Sequence, residues 1–199
     1  MQEILQERTL VIFKPDVLQR QIVGELVTRF ERKGFKIVGM KLIHPSKELV
    51  GKHYTDDPAY LKEVGEKGIA SALARGEEVK ETDPMKIGNQ VRDWNIQYLA
   101  CGPVLAMVLQ APNIVEAVRK MLGSSNPANA DIGTIRADYS PDSFFLANMQ
   151  GRTTRTLIHA SDSVENAKRE ISLWFNNNEI YEYETAMEKV LFDAGWSNK

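Results

Sequence analysis

TLVIFKPD, residues 9–16, is the stretch from which the fold can be read. Residues 9–13 are β-branched and almost wholly apolar, the composition of a strand covered on both faces. Pro15 has no N–H to give to a ladder, so pairing stops and Lys14 is left at the mouth of the strand. Beyond it the period changes. Ile22, Val23, Leu26, Val27 and Phe30 recur at helical spacing over 22–33, and Gly34 stands where a helix stops. Residues 35–43 read as a second strand, 104–109 (VLAMVL) as a third and 154–159 as a fourth. Pro45-Ser46 opens a short helix through Leu49, Val50 and Tyr54. Asn113-x-x-Glu116 and Asp162-x-x-Glu165 match capping boxes. The first precedes the stripe Val115, Val118, Leu122, and the second precedes Val164, Ala167, Ile171, Trp174.

Three segments are less regular. Residues 55–93 are polar and glycine-dotted, with helical pieces expected around 60–73 and a second helix starting at Asp83-Pro84, an N-cap followed by proline. Ile87, Val91, Trp94 and Tyr98 form one face of that helix, so the segment reads as a helical excursion on the domain edge. Residues 123–151 lack periodicity, and a loop of that length is usually functional or disordered. Residues 176–199 are irregular and aromatic, and are expected to pack on a surface or on a neighbouring subunit. The order strand, helix, strand, helices, strand, helix, strand, helix suits an α+β sandwich of the ferredoxin-like, split βαβ type, an antiparallel four-stranded sheet covered by helices. A doubly wound α/β sheet fits the same order.

Composition narrows the function classes. With 199 residues, 43% apolar and 26% charged, the chain suits one domain with a sizeable core. A formal net charge of −2 argues against nucleic acid as the main ligand, which would call for a more basic surface. The single cysteine, Cys101, allows no intrachain disulfide and no thiolate zinc cage, and beside an apolar run it reads as a buried, inert thiol. No apolar stretch is long enough to span a bilayer and residues 1–7 have no signal-peptide pattern, so the expected location is cytoplasmic.

His159 is the residue with chemical surroundings. It ends the fourth expected strand just before a helix start, where free backbone N–H groups and the helix dipole attract anions. A histidine there can attack a phosphoryl group, although an arbitrary histidine is more often a core or capping residue. His44 and His53 have no comparable neighbours in sequence and are assigned to that bland role. Lys14, Arg119 and Arg136 could stabilise phosphate oxygens if they converge. The chain has neither GxxxxGK[ST] nor GxGxxG, so phosphate transfer here would need another scaffold.

At this point the residues resemble a known family. ERTLVIFKPD at 7–16, VGELVTRFERKGFKIVGMKL at 23–42, CGPVLAMVL at 101–109, VRKMLGSSNPANADIGTIRADY at 118–139 and LIHASDSVENAKREISLWF at 157–175 are similar to nucleoside diphosphate kinases. The resemblance implies a ferredoxin-like core and a ping-pong reaction. A nucleoside triphosphate, typically ATP, phosphorylates His159, and a nucleoside diphosphate collects the phosphate. It assigns Lys14 to the sugar hydroxyl and phosphates, Tyr54 to the surroundings of the imidazole, and Arg119, Arg136 and Ser125 to phosphate. Ser161 and Glu170 would support the imidazole. It further implies Mg²⁺ carried by the nucleotide phosphates, no protein metal cage, no membrane, and a homo-oligomer, a hexamer in preference to a tetramer.

Three departures qualify the match. Thr156 stands where the family has an asparagine that holds a sugar hydroxyl, and its hydroxyl has shorter reach. Residues at about 55–93 and 140–150 read as insertions. The family's base-stacking phenylalanine falls in the first of these, where a gapless count back from Gly102-Pro103 reaches Val91, with Trp94 nearby. The competing function is a nucleotide-binding regulatory or scaffold protein of the same fold with weak or no turnover.

Overall fold

In a computed structural model, which describes residues 6–76, 78–192 and 195, the apolar runs pair into one sheet. Its strands are β1 (Arg8–Phe13), β2 (Lys36–Ile43), β3 (Val104–Gln110) and β4 (Ile158–Ala160). The order is β2-β3-β1-β4 and every pairing is antiparallel. That is the ferredoxin-like split βαβ arrangement, and it settles the choice against a doubly wound parallel sheet. Between the strands lie α1 (Pro15–Gln19), α2 (Val23–Arg32), α3 (Lys47–His53), α4 (Pro58–Ala74) and α5 (Pro84–Leu99). After β3 come α6 (Ile114–Leu122), α7 (Ile135–Tyr139), α8 (Phe144–Met149), α9 (Val164–Trp174) and α10 (Ala186–Phe192).

Alternation along β1 builds two cores. Val11 and Phe13 face one side with Leu26 and Phe30 of α2 and Val118 and Leu122 of α6. Leu10 and Ile12 face the other with Val50 of α3, Leu99 of α5 and Trp174 of α9. β1 is buried on both faces, which is why its sequence is a continuous apolar run.

Several local expectations change. Asn113 sits at the N-cap of α6 but with φ +52 and no capping side-chain bond. The carboxylate of Glu7 takes its place, accepting from Val115 N at 2.9 Å. The cap of α9 is Ser163, accepting from Asn166 N, while the Asp162 carboxylate bonds the Asn166 side chain. Residues 123–151 are ordered by a 3₁₀ turn at Pro127–Asn129 and by α7 and α8. Cys101 is exposed, because it lies in the bend after α5 with its thiol turned back to Tyr98 O. Of the tail, Tyr181 donates its backbone N–H to Val38 O and Tyr183 its hydroxyl to Ile37 O, so this part covers β2; residues 193–194 and 196–199 lie outside the described residues.

The α4–α5 hairpin crosses without side chains at its closest point. A Cβ on Gly65 would stand 1.9 Å from Pro84 O, and one on Gly88 2.0 Å from Leu61 O. Backbone cannot step aside as a side-chain tip can. Gly65→Ala should therefore cost at least about 1–3 kcal/mol by overpacking. Gly68→Ala, which meets only Ile87 Cγ2 at 3.5 Å, should gain about 0.5–1 kcal/mol of helix stability. Urea unfolding of the two variants checks the contrast, and equal midpoints would refute the close crossing.

Candidate active site

His159 is the middle residue of β4 and stands directly opposite Ile12 of β1. Its side chain therefore leaves the sheet on the face that packs α3 and α9. β4 is shorter than the sequence suggests because of what precedes it. Leu157 has φ +64, and Ile158 N–H donates back to Thr156 O at 2.7 Å, closing a γ-turn with positive φ. A non-glycine residue there costs about 1–3 kcal/mol and persists only where its surroundings enforce it. Here they do. Leu157 is buried in the first core, Lys14 N–H bonds Leu157 O at 2.9 Å, and the Arg136 guanidinium reaches Thr156 O at 3.4 Å and Ile158 O at 3.2 Å. Ladder pairing can begin only after this turn.

On α9, Glu170 meets the imidazole. His159 Nε2–H donates to Glu170 Oε2 at 3.0 Å, and the Ser161 hydroxyl donates to the same oxygen at 2.6 Å. Ser161 is held in turn by Leu10 N–H at 3.3 Å. Burial alone would raise the Glu170 carboxyl. The hydrogen bonds from His159 and Ser161 oppose burial, and the group is held below its ordinary value. An ionised carboxylate on Nε2 assigns the imidazole proton to that nitrogen and leaves Nδ1 with a free lone pair.

Above the ring opens a cavity of about 570 Å³. Tyr54, Arg119, Ser125, Arg136, His159 and Glu170 all line it. The two arginines differ. Arg136 is anchored by Gly123 O at 2.7 Å as well as by the turn carbonyls, and burial first, then Arg119, lowers its guanidinium to about 10. Arg119 is exposed, and among the described residues nothing bonds its guanidinium. Tyr54 is driven above the usual phenol range by burial, so it stays a neutral hydroxyl.

Lys14 and Thr156 pair with each other, Nζ donating to Oγ1 at 2.8 Å. The ammonium also lies 4.9 Å from the Tyr98 ring centroid, and Tyr98 donates to Asp16 at 2.5 Å. Lys14 is buried, and burial followed by the charge of Arg136 lowers it to about 7. The segment 140–150 reaches this side of the site through Asp142. Its carboxylate accepts from Arg155 N at 2.7 Å and from Arg152 at 2.6 Å.

Sequence reasoning passed over His53, Tyr60, Asp57 and Arg169, all of which line the cavity. His53 is buried at 3% exposure, with its ring edge-on to His159 at 4.3 Å between centroids. Its partner in the core, Trp174, is distant in sequence, so spacing offered no signal. Tyr60 is 43% exposed at the start of α4. The backward count to Val91 assumes no gap, whereas the family match described below breaks between residues 62 and 84. Neither Val91 nor Trp94 lines this cavity; Trp94 lines a separate groove with Met85, Asn89 and Gln97.

Among the described residues, His53, His159 and Glu170 are the one group whose ligand atoms cluster, within 4.8 Å of one another. That nitrogen-rich set does not fit Mg²⁺, which takes oxygen ligands.

A family model described as nucleoside diphosphate kinase matches residues 7–62 and 84–180, leaving out most of α4 and the connection to α5. A nucleoside diphosphate kinase of Pyrobaculum aerophilum is 39% identical over 180 residues, covering 88% of this chain and 98% of the relative. The crystal structure of an NDP kinase from Pyrobaculum aerophilum superposes with a TM-score of 0.85 at 38% identity, over 89% of this chain and 100% of that one. A Borrelia burgdorferi nucleoside-diphosphate kinase, solved as a transition state mimic with bound vanadate and ADP, gives 0.76 at 33% identity, over 94% and 97%.

The two arginines should separate on substitution. Arg136→Ala orphans carbonyls around the strained turn and should cost about 2–3 kcal/mol of stability. Arg119→Ala should stay within about 0.5 kcal/mol, as an exposed side chain without partners does, while losing pyrophosphate affinity. Thermal unfolding with and without pyrophosphate tests this. A large stability loss in Arg119→Ala would contradict it.

Proposed function

Because the chain belongs to the nucleoside diphosphate kinase family and is an enzyme of that activity, we propose that Nδ1 of His159 carries the phosphoryl group between nucleotides. In the first half-reaction the Nδ1 lone pair forms the N–P bond with the γ-phosphorus of a nucleoside triphosphate, typically ATP. The bond from that phosphorus to the bridging oxygen breaks, and the nucleoside diphosphate leaves with the electron pair. In the second, a terminal phosphate oxygen of another nucleoside diphosphate attacks phosphorus and Nδ1 recovers its lone pair. No proton has to leave Nδ1, because the imidazole proton stays on Nε2 against Glu170 and Ser161. The observation that carries this reading is the 3.0 Å bond from His159 Nε2 to a buried carboxylate, under a cavity lined by Arg119 and Arg136.

The other roles follow from position. Arg136 is a fixed cation and Arg119 a mobile one for the phosphates, with Ser125 as a neutral contact. Tyr54 keeps a neutral hydroxyl beside the imidazole. Lys14 and Thr156 form the sugar end, where the threonine oxygen already accepts from Lys14 and keeps its own proton to donate. Tyr60 offers an exposed ring on which a base can stack, which suits tolerance among bases. Mg²⁺ would arrive as part of the nucleotide, since the donor set described above does not suit it. We place the whole chain, 1–199, in one functional domain with the α4–α5 hairpin as its elaboration. Among the described residues no helix is long and apolar enough to cross a membrane, and we propose a cytoplasmic homo-oligomer, a hexamer in preference to a tetramer. A regulatory protein without turnover has no observation in its favour.

Two outcomes are expected. Incubated with ATP labelled at the γ-phosphate, the protein should take acid-labile label, and His159→Ala should take none while still binding ADP. Wild-type turnover in His159→Ala would refute the assignment. Lys14, lowered to about 7, is partly neutral at neutral pH, and a phosphate nearby favours its charged form. Binding should therefore take up a proton, and nucleotide affinity should fall as pH rises above 7. Calorimetry in buffers of different ionisation enthalpy reads the uptake, which Lys14→Met should abolish.

A further inference from the structure

Glu170 has two imidazoles within reach and bonds only one of them. His159 Nε2 lies 3.0 Å from Oε2, while His53 Nδ1 lies 3.9 Å from Oε1, too far for a hydrogen bond. Both rings are packed, perpendicular to each other, on the same face of the sheet. A buried carboxylate beside a second imidazole is open to competition. If His53 carried its proton on Nδ1, a small movement would let it donate to Oε1 and draw off charge that the reading of His159 requires.

Trp174 closes that route. Its indole nitrogen can only donate, and it donates to His53 Nδ1 at 3.3 Å. Nδ1 must then be bare, and the His53 proton must sit on Nε2. That nitrogen is buried with no hydrogen-bond partner. The alternative tautomer would satisfy Glu170 but set two N–H groups against each other at the Trp174 contact. Burial also holds His53 well below the usual imidazole range, so it stays neutral. The ring therefore fills the wall beside His159 without offering a donor to Glu170.

We propose that Trp174 is a positioning residue for phosphoryl transfer: by donating to His53 Nδ1 it fixes the His53 tautomer, and so reserves the Glu170 carboxylate for His159. The inference rests on the reading of His159 as the nucleophile. Trp174 touches neither substrate nor the reacting atoms, and acts through His53. Replacing it with phenylalanine removes the donor, frees Nδ1 to take the proton, and lets His53 share Glu170. His53→Phe removes the competitor and makes the indole donor irrelevant to Glu170.

The test is a double-mutant cycle with two readouts. The first is the ¹⁵N chemical shifts of the imidazoles in the ligand-free protein, which report tautomers without any need for activity. The second is the rate of phosphorylation by ATP. In the wild type, His53 should show a bare Nδ1 and a protonated Nε2; in Trp174→Phe the proton should move to Nδ1. Phosphorylation of Trp174→Phe should slow about 10-fold, the effect of weakening one charged hydrogen bond by about 1.4 kcal/mol, with ADP affinity unchanged. In the His53→Phe background the same tryptophan change should leave the rate where His53→Phe alone puts it. A packing role for Trp174 would instead slow both backgrounds alike, and that result overturns the proposal. So does a protonated Nδ1 on His53 in the wild type. A wild-type protein that takes no label on His159 refutes the nucleophile reading and the inference with it, and the imidazole shifts tell that failure apart from a failure of the tautomer argument alone.

Discussion

The hydrogen bond from His159 Nε2 to the Glu170 carboxylate joins the shortest strand of the sheet to the helix that follows it, and much of the fold serves to hold its two ends. At the β4 end the requirement is backbone placement. A strand of three residues has little register of its own, so the turn at Leu157 must deliver His159 opposite Ile12. That turn is held in an unfavourable conformation by the Lys14 amide, by two arms of Arg136 and by burial of the Leu157 side chain. At the α9 end the requirement is a dry carboxylate. Ala167 packs into one core and Trp174 into the other, which fixes the helix and places Glu170 beneath the ring.

Electrostatics divides labour between groups that look alike in sequence. Arg136 has given most of its donors to backbone carbonyls, so its charge is fixed in one place. Arg119 is exposed and keeps its donors free among the described residues. Of the two imidazoles, one has its Nδ1 left free by Glu170 and the other has it occupied by Trp174. Lys14, pressed down to about 7 by burial and by Arg136, is a charge waiting for a counter-ion. Each contrast arises from neighbours rather than from residue type.

Much of this was legible in the chain. The apolar runs gave the four strands, and IHASDS with KPD pointed to the chemistry. What could not be read has physical causes. The fourth strand looked longer because residues 154–157 have strand composition, and only the tertiary clamp at Leu157 forbids pairing there. The cap of α6 was misassigned because Glu7, more than a hundred residues earlier, supplies the acceptor. His53 looked idle because its meaning lies in Trp174 and Glu170, both brought to it by α9. Val91 stood out in place of a cavity residue because the count back from Gly102-Pro103 assumes no gap, while the family match breaks between residues 62 and 84.

The central claim is that Glu170 keeps the proton on Nε2 and leaves Nδ1 to react. The most direct measurement is the identity of the phosphorylated nitrogen, read from ³¹P–¹⁵N coupling in ¹⁵N-labelled protein after reaction with ATP. The account predicts a single phosphohistidine coupled to Nδ1 of His159. Phosphorus bonded to Nε2, or to any other residue, would contradict it.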